Sequence, residues 1–254
     1  DIANEAWSNL TEFVKLQKSE DQNHFEKKYE GYLALHQKDD LKAYYIFKEL
    51  STTSRELSID PDVNFYLDVA ENRIREKYFF VDETFEQESF EYANNIYFAY
   101  DYKDGSKDIV YFKGVTTVEE TGNSIQYLRD LSIVTISPSG EIYKTMNVPY
   151  AKVLPVSTDV LNETTKQLFE IDENTKSIPY IMLCSIGRTD PNTKIKPTYT
   201  YSKDAPATYS DYIILPISFD DFEMLENNTM NPSAISLIKL IKLITKASCT
   251  APSV

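Results

Sequence analysis

The sequence predicts an α+β fold with antiparallel helical hairpins in residues 1–80, an antiparallel β-domain in 81–217 and a carboxyl-terminal helical segment in 218–254. Apolar residues recur at helical spacing before residue 80, whereas β-branched and aromatic runs alternate with turn residues over 92–156. Isoleucine and leucine return to helical spacing near the end. Because the strands follow one another without intervening helices, we expect a sandwich, barrel or jellyroll.

Two hairpins carry the strand prediction. Residues 96–102 and 108–112 flank a turn that contains Asp104-Gly105, a favoured tight-turn dipeptide. Residues 125–136 and 142–148 flank Ser137-Pro138-Ser139-Gly140, another turn sequence. Further strands are expected at 178–184 and 212–216, and within 167–171.

Four short amphipathic helices are predicted in the amino-terminal third. The clearest start is Asp60 as N-cap with Pro61 at the first helical position, and Asp39 or Asp40 is a plausible earlier cap. Gly31, Ala43 and Phe47 have a spacing that resembles the small and aromatic positions of a tetratricopeptide repeat. That resemblance implies a docking surface for a peptide on residues 25–78, while a plain helical bundle without a ligand is the open alternative.

Charge and cysteine content limit the function. The 40 acidic residues exceed the 26 basic ones, and the resulting net charge of −14 disfavours nucleic acid as a partner. Cys184 and Cys249 form no metal-binding pattern, and one disulfide between them is possible. No apolar run approaches the ~20 residues of a membrane span. Since Asp1 begins the sequence without a signal peptide, we expect a processed chain or an excised domain.

The carboxyl-terminal segment has two interpretations. Its wide apolar face and narrow lysine stripe are typical of a helix at a membrane interface, but a terminal helix packed on the sheet explains the pattern as well. The membrane-interface candidates are Ile238, Lys239, Ile241, Lys242, Ile244 and Lys246.

Residues 125–131, 149–153, 215–222 and 231–241 together are similar to the periplasmic region of the lipopolysaccharide-export permeases LptF and LptG. The resemblance implies a β-jellyroll on the periplasmic side of a bacterial inner membrane. It also implies a lipid or glycolipid cargo, other lipid-transport subunits and an ATPase that acts through membrane helices. The acyl chains would pass along an apolar groove, for which the inward-facing candidates are Ile96, Phe98, Tyr100, Ile133, Ile142, Met146, Ile181, Leu183, Ile213 and Leu215.

No sequence motif indicates an enzyme, a cofactor or a metal. The chain lacks a nucleophile elbow, a phosphate-binding loop and a dinucleotide-binding turn. Asp101, Asp104 and Asp108 bracket the first hairpin turn and could hold calcium, although a solvated turn explains them too. The alternative to transport is a non-enzymatic interaction protein. It would have an exposed, concave aromatic surface on residues 25–78 together with a closed β-core, whereas transport requires an open apolar seam in residues 92–216.

Overall fold

The computed structural model describes residues 2–53, 60–85, 87, 93–120, 123–168, 171, 175–203, 205 and 207–227. It confirms a mixed α+β chain with helices at the amino end followed by a largely antiparallel β-region. The chain divides into two compact units, residues 1–77 and 78–254, called here the helical unit and the β unit. All six membrane-interface candidates and Cys249 lie outside the described residues.

Three helices form the described part of the helical unit: α1 (Ile2–His36), α2 (Asp40–Thr53) and α3 (Pro61–Ile74). The prediction of two short helices before residue 37 is wrong, because α1 is continuous over 35 residues. Residues 17–24 contain polar side chains but no glycine or proline, so nothing in that stretch forces the helix to end.

The starts of α2 and α3 follow their capping residues. The Asp39 carboxylate accepts a hydrogen bond from the Lys42 backbone N–H, and Asp60 accepts one from the Asp62 N–H. Each side chain thereby satisfies a backbone donor that has no partner within the helix. The predicted Asp60-Pro61 start is confirmed.

Eleven strands, three short α-helices and one 3-10 helix (Thr158–Val160) make up the regular structure in the described part of the β unit. The strands are β1 (Phe79–Phe80), β2 (Ile96–Asp101), β3 (Lys107–Phe112), β4 (Gly114–Glu120), β5 (Asn123–Ile136), β6 (Ile142–Ser157), β7 (Ser177–Met182), β8 (Ser185–Ile186), β9 (Lys194–Ile195), β10 (Thr198–Tyr201) and β11 (Tyr212–Ile214). The helices are α4 (Asp82–Phe85), α5 (Glu163–Leu168) and α6 (Phe219–Asn227). Since α5 occupies residues 163–168, the strand predicted at 167–171 is wrong at its start.

The strands form one large and one small sheet. The eight-stranded sheet has the order β11-β7-β6-β5-β3-β2, with β4 also paired to β5 and β10 also paired to β6. All of its pairings are antiparallel. The small sheet has the order β1-β8-β9, and its β1–β8 pair is parallel. The long β5–β6 hairpin therefore lies at the centre, with pairs of strands on both sides.

One row of residues bends the large sheet. Asp130 in β5 has a left-handed φ of 52°, and Lys113 between β3 and β4 and Pro149 in β6 lie opposite it in register. The core contains even-numbered residues of β3 before this row and the odd-numbered Val115 after it. In β5 and β6 the residues that face the core likewise change from even-numbered to odd-numbered at this row. The bend thus lets both halves of each strand face one core.

That core fills the inner face of the bent sheet. Its buried side chains come from β2 to β7, from Leu183 and Leu215 just after β7 and β11, and from α6. Phe219 and Phe222 of α6 are both almost fully buried. The Phe222 ring lies 5.9 Å from that of Phe112 and 6.4 Å from that of Phe98. A second cluster of Phe79, Ile125, Tyr127 and Met182 adjoins it. None of the helices in the described ranges is long and apolar enough to cross a membrane.

Candidate functional site

The predicted lipid-groove residues lie mainly in the core of the β unit. All of them except Ile142 either belong to the core cluster or pack against it: Ile96, Phe98, Tyr100, Ile133, Met146, Ile181, Leu183, Ile213 and Leu215. They share this interior with Phe219 and Phe222 of α6. In this structure the inner face is therefore occupied by the protein's own side chains.

Ile142 departs from the predicted inward orientation, since 61% of its surface is exposed. Met146 and Val148 on the same strand are buried as expected. The pairing of β5 with β6 shifts register between Thr135 and Ile136, which is opposite the start of β6. This irregularity interrupts the alternation and turns Ile142 outward.

A buried ion pair connects α4 to the central hairpin. Lys152 Nζ donates to Glu83 Oε2 at 2.8 Å, and the Tyr127 hydroxyl donates to the same oxygen at 2.7 Å. The side chains of Lys152 and Glu83 are only 8% and 13% exposed. Nothing in the sequence indicates this pair, because its members lie 69 residues apart and neither belongs to a motif.

A second ion pair adjoins the first. Arg188 Nε donates to Asp82 Oδ2 at 2.7 Å, and its guanidinium lies 4.0 Å from the centre of the Phe80 ring. Two cations thus face two carboxylates, and the charges balance. This arrangement holds α4 and the small sheet against the large one.

A carboxylate with two phenol donors lies on the first hairpin. The hydroxyls of Tyr100 and Tyr102 donate to Asp108 Oδ2 at 3.1 and 3.0 Å. Burial, followed by the charge of Asp108, raises the pKa of Tyr100 far above its ordinary value, so the phenol stays protonated and donates. Asp108 is 9% exposed, and its Oδ1 is buried without a hydrogen-bond partner among the described residues.

The three acids of the calcium hypothesis are dispersed. Asp104 accepts hydrogen bonds from the Ser106 N–H and hydroxyl within its own turn, and Asp101 pairs with Lys107 at 3.1 Å. Only Asp108 is buried. In the part of the chain that the structure describes, no group of three or more histidine, cysteine, aspartate or glutamate side chains is arranged to hold a metal ion.

Cys184 is a buried thiol at the end of β7. Its Sγ donates to Asp211 Oδ1 at 3.3 Å, and burial raises the pKa of the thiol to about 12. At neutral pH the group is therefore a protonated, unreactive hydrogen-bond donor.

A cleft of about 650 Å³ adjoins the start of α6. Its walls are mixed, with Ile178, Pro216 and Ile217 beside Lys176, Ser218 and Asp220. The Ser218 hydroxyl accepts from the Asp221 N–H, and acidic residues occupy the first turn of α6. The helix start thus has negative partners of its own, which disfavours an anion in this cleft.

The helical unit exposes three large apolar side chains on one side of α1. Phe25, Tyr29 and Leu33 are 69%, 61% and 44% exposed, and we call these three residues the α1 stripe. Spaced four residues apart, they lie on successive turns of one face. Phe65 of α3 is 61% exposed as well.

The neighbouring face of α1 makes the internal contacts. Lys28 Nζ donates to Asp60 Oδ2 at 2.8 Å and to Asp62 Oδ2 at 2.9 Å, and His24 Nε2 lies 3.3 Å from Asp60 Oδ2. The hydrogen bond from Lys28 lowers the pKa of Asp60. His24 thus belongs to a hydrogen-bonded cluster that joins α1 to α3, and His36 is exposed at the end of α1.

Comparisons of the chain with family models, with curated proteins and with solved structures found no significant match.

Proposed function

We propose that this chain is a non-enzymatic protein-interaction protein whose helical unit binds a protein segment on the α1 stripe. The observation that carries the proposal is the exposure of Phe25, Tyr29 and Leu33 on successive turns of one helix. Scattered exposed apolar residues are ordinary, but an aligned aromatic and aliphatic row is typical of a surface that another chain covers.

The scaffold behind the α1 stripe supports a preformed surface. Gly31 of α1 lies so close to Phe47 of α2 that a Cβ at this position would be 2.7 Å from the Phe47 ring. The Tyr32 ring meets that of Tyr66 edge-on at 4.6 Å. These contacts fix α1 against α2 and α3, so binding would order few additional groups, and preorganisation of this kind favours affinity.

The chemistry around the α1 stripe suggests the kind of partner. Glu26 and Glu30 lie on the exposed side of α1 next to it, and the whole chain carries a net charge of −14. A complementary segment would present apolar side chains at helical or extended spacing with basic residues beside them. Opposite charge would steer the encounter, while the apolar anchors would supply most of the affinity.

Lipid export was the first function predicted from the sequence, and it is now the second candidate because the resemblance to the permeases is its only support. It requires an apolar path, whereas Phe219 and Phe222 occupy the interior along with most of the predicted groove residues. An acyl chain could enter only if α6 moved away. The filled interior therefore favours the interaction function, for which a closed β-core was the expected feature.

Site-specific photo-crosslinking in the native source distinguishes the two functions. The photoreactive residue p-benzoylphenylalanine replaces Tyr29 in one variant of the full chain and Phe98 in another. The exposed Tyr97 is the control position, since it lies on the neighbouring position of the same strand as Phe98. We expect a discrete protein adduct at position 29 and none at 97. A lipid adduct at position 98, with no protein adduct at 29, would replace the proposal by transport.

A further inference from the structure

We infer that the partner of the α1 stripe is a segment of a second copy of this chain, residues 234–246, which we call the tail segment. This inference rests on the proposed function, since it names the protein segment that the α1 stripe binds. Two complementary features support it. The α1 stripe is an exposed apolar row with acidic groups beside it, and the sequence after α6 combines apolar residues at helical spacing with lysines.

Glu26 and Glu30 lie along one edge of the α1 stripe. The Glu26 carboxylate accepts a hydrogen bond from the neutral amide of Gln22 at 2.9 Å, and this bond does not cancel its charge. Glu30 pairs with Lys42 at 2.8 Å, but both side chains are about half exposed. Because ion pairs between exposed side chains contribute little, a second cation can compete for Glu30.

The opposite edge of the α1 stripe borders the cluster that joins α1 to α3. Asp60 and Asp62 share the ammonium group of Lys28, and the side chain of Asp62 is 63% exposed. His24 adds a positive charge to this cluster only when it is protonated. Carboxylates therefore lie on both sides of the apolar row, and they would attract a cationic segment.

The tail segment has apolar residues at a matching spacing. On a helix, Leu237, Ile241 and Ile244 fall on one face, because they are four and three residues apart. At 1.5 Å per residue these three positions span about 10 Å, and the three positions of the α1 stripe span about 12 Å. The two rows therefore have nearly the same length, as two packed helices require.

The charge of the tail segment is opposite to that of the whole chain. Residues 228–254 lie outside the described residues, and their sequence contains Lys239, Lys242 and Lys246 but no acidic residue, whereas the whole chain carries a net charge of −14. On a helix, Lys242 would follow Ile238 by one turn at the edge of the apolar face, so its ammonium could reach an acidic edge of the α1 stripe. An anionic bilayer would attract the same lysines but repel much of the rest of the chain, which favours a protein partner.

A pair of copies can make this contact twice. If each copy donates its tail segment to the α1 stripe of the other, both contacts form about one two-fold axis, and association ends at the dimer. The second contact forms at a high effective concentration, which strengthens two individually modest contacts. Both α1 stripes and the apolar faces of both tail segments are then covered in one complex.

Photo-crosslinking of the purified full chain tests this partner. Isotope-labelled chain with p-benzoylphenylalanine in place of Tyr29 is mixed with unlabelled, unaltered chain and irradiated. We expect an adduct of about twice the chain mass of 29.3 kDa, in which labelled position 29 is joined to an unlabelled peptide from residues 234–246. The same replacement at the exposed Tyr97 is the control and should give no such peptide. An adduct with the mass of a single chain, or no adduct with the tail segment, would overturn the inference.

Crosslinking in the native source separates this inference from the proposed function. An adduct of position 29 with a different protein, and none with the tail segment, would overturn the inference and still support protein binding by the α1 stripe. The absence of any protein adduct at position 29 would overturn both. If p-benzoylphenylalanine in place of Ile241 crosslinks to lipid and not to α1, the tail segment is a membrane-bound helix and the inference is wrong.

Sedimentation equilibrium of variants of the full chain measures the contact itself. Leu237→Ser/Ile241→Ser/Ile244→Ser should weaken dimerisation at least tenfold, since truncating anchor residues commonly has an effect of this size. Lys242→Glu should weaken it as well, and less at high salt, because salt screens exposed charges. Lys203→Glu is the matched control, since it makes the same charge change at an exposed position of the β unit. Equal dimer affinities of the triple variant and the unaltered chain would overturn the inference.

Discussion

The helical unit and the β unit treat their large apolar side chains differently. In the helical unit Phe25, Tyr29 and Leu33 line up exposed on one helix, although Phe47 and Tyr44 beside that helix are fully buried. In the described part of the β unit the exposed aromatics Tyr97, Tyr209, Tyr212 and Phe85 lie in different segments of the chain, and the aligned apolar rows face the core. The difference supports our proposal that the helical unit binds protein. In the β unit, the protein's own side chains fill the described core, and polar groups lie at its margin.

The largest expected effect comes from breaking the ion pair that anchors α4 in the β unit. Glu83→Gln and Lys152→Met should each destabilise this unit by about 3–5 kcal/mol, because each removes the nearest counter-charge of a buried partner. Hydrogen exchange of amides in β5 and β6 measures the loss.

The double variant is the control for that prediction. With both charges removed, no unpaired ion is left, and the loss should be clearly smaller than the sum of the single losses. Additive losses would show that the two side chains do not act as a pair. The same variants should leave amide hydrogen exchange in α1 and α2 unchanged, because these helices belong to the helical unit.

In the helical unit, Gly31→Ala is expected to cost about 1–3 kcal/mol, since the added methyl would overlap the buried Phe47 ring. At a helix position with free space, alanine is more stabilising than glycine by about 1 kcal/mol. A lower free energy of unfolding for Gly31→Ala would therefore show that Phe47 lies too close to Gly31 to admit a methyl group. Exchange of α1 and α2 amides measures it, and adding Phe47→Leu should restore part of the loss. A stabilised Gly31→Ala variant would contradict the close packing behind the α1 stripe.

The bend of the large sheet is tested at Asp130, whose φ of 52° suits aspartate or glycine but strains a β-branched residue. Asp130→Val should destabilise the β unit by roughly 1–2 kcal/mol, whereas Asp130→Gly should be neutral or slightly stabilising. The free energies of unfolding of the two variants are compared by urea denaturation, monitored by the circular dichroism of the tyrosine side chains. Equal stabilities would mean that this position does not impose the bend.

The smallest effect concerns the pH dependence of the helical unit. Lys28 lowers the pKa of Asp60, so the ion pair stabilises the fold above about pH 4, the ordinary aspartate range, and this contribution is lost as pH falls through the lower pKa of the folded state. Thermal unfolding between pH 6 and pH 2 measures the slope. Asp60→Asn should retain the cap and remove this acid-dependent loss, while Asp60→Ala should lose about 1 kcal/mol of capping as well. An unchanged slope in Asp60→Asn would contradict this role.

Local signals in the sequence were sufficient for much of the fold. Asp60-Pro61 predicted the start of α3, and the Asp104-Gly105 turn predicted the β2–β3 hairpin, because each depends on neighbouring residues. The unbroken α1 was missed, since polar residues between two apolar patches resemble an end without imposing one. The bend at Asp130 was missed for a related reason: only the register of three strands reveals it.

The candidate sites were less accessible to sequence reasoning. Asp108 was noted only as one of three turn acids, and its pairing with Tyr100, Thr135 and Lys144 depends on contacts across four strands. The exposure of Tyr29 follows from which face of α1 meets α2 and α3, a tertiary choice that helical spacing alone does not make. The bulge beside Ile142 likewise has no local signature.

The most direct test of the central claim is the affinity of the crosslinked partner for the unaltered chain and for the Phe25→Ser/Tyr29→Ser/Leu33→Ser variant, measured by isothermal titration calorimetry. We predict at least a tenfold loss, since truncating anchor residues commonly costs more than 1.4 kcal/mol. The Tyr97→Ser variant should bind normally. Unchanged affinity in the triple variant, with the helices intact by hydrogen exchange, would contradict the assignment of protein binding to the α1 stripe.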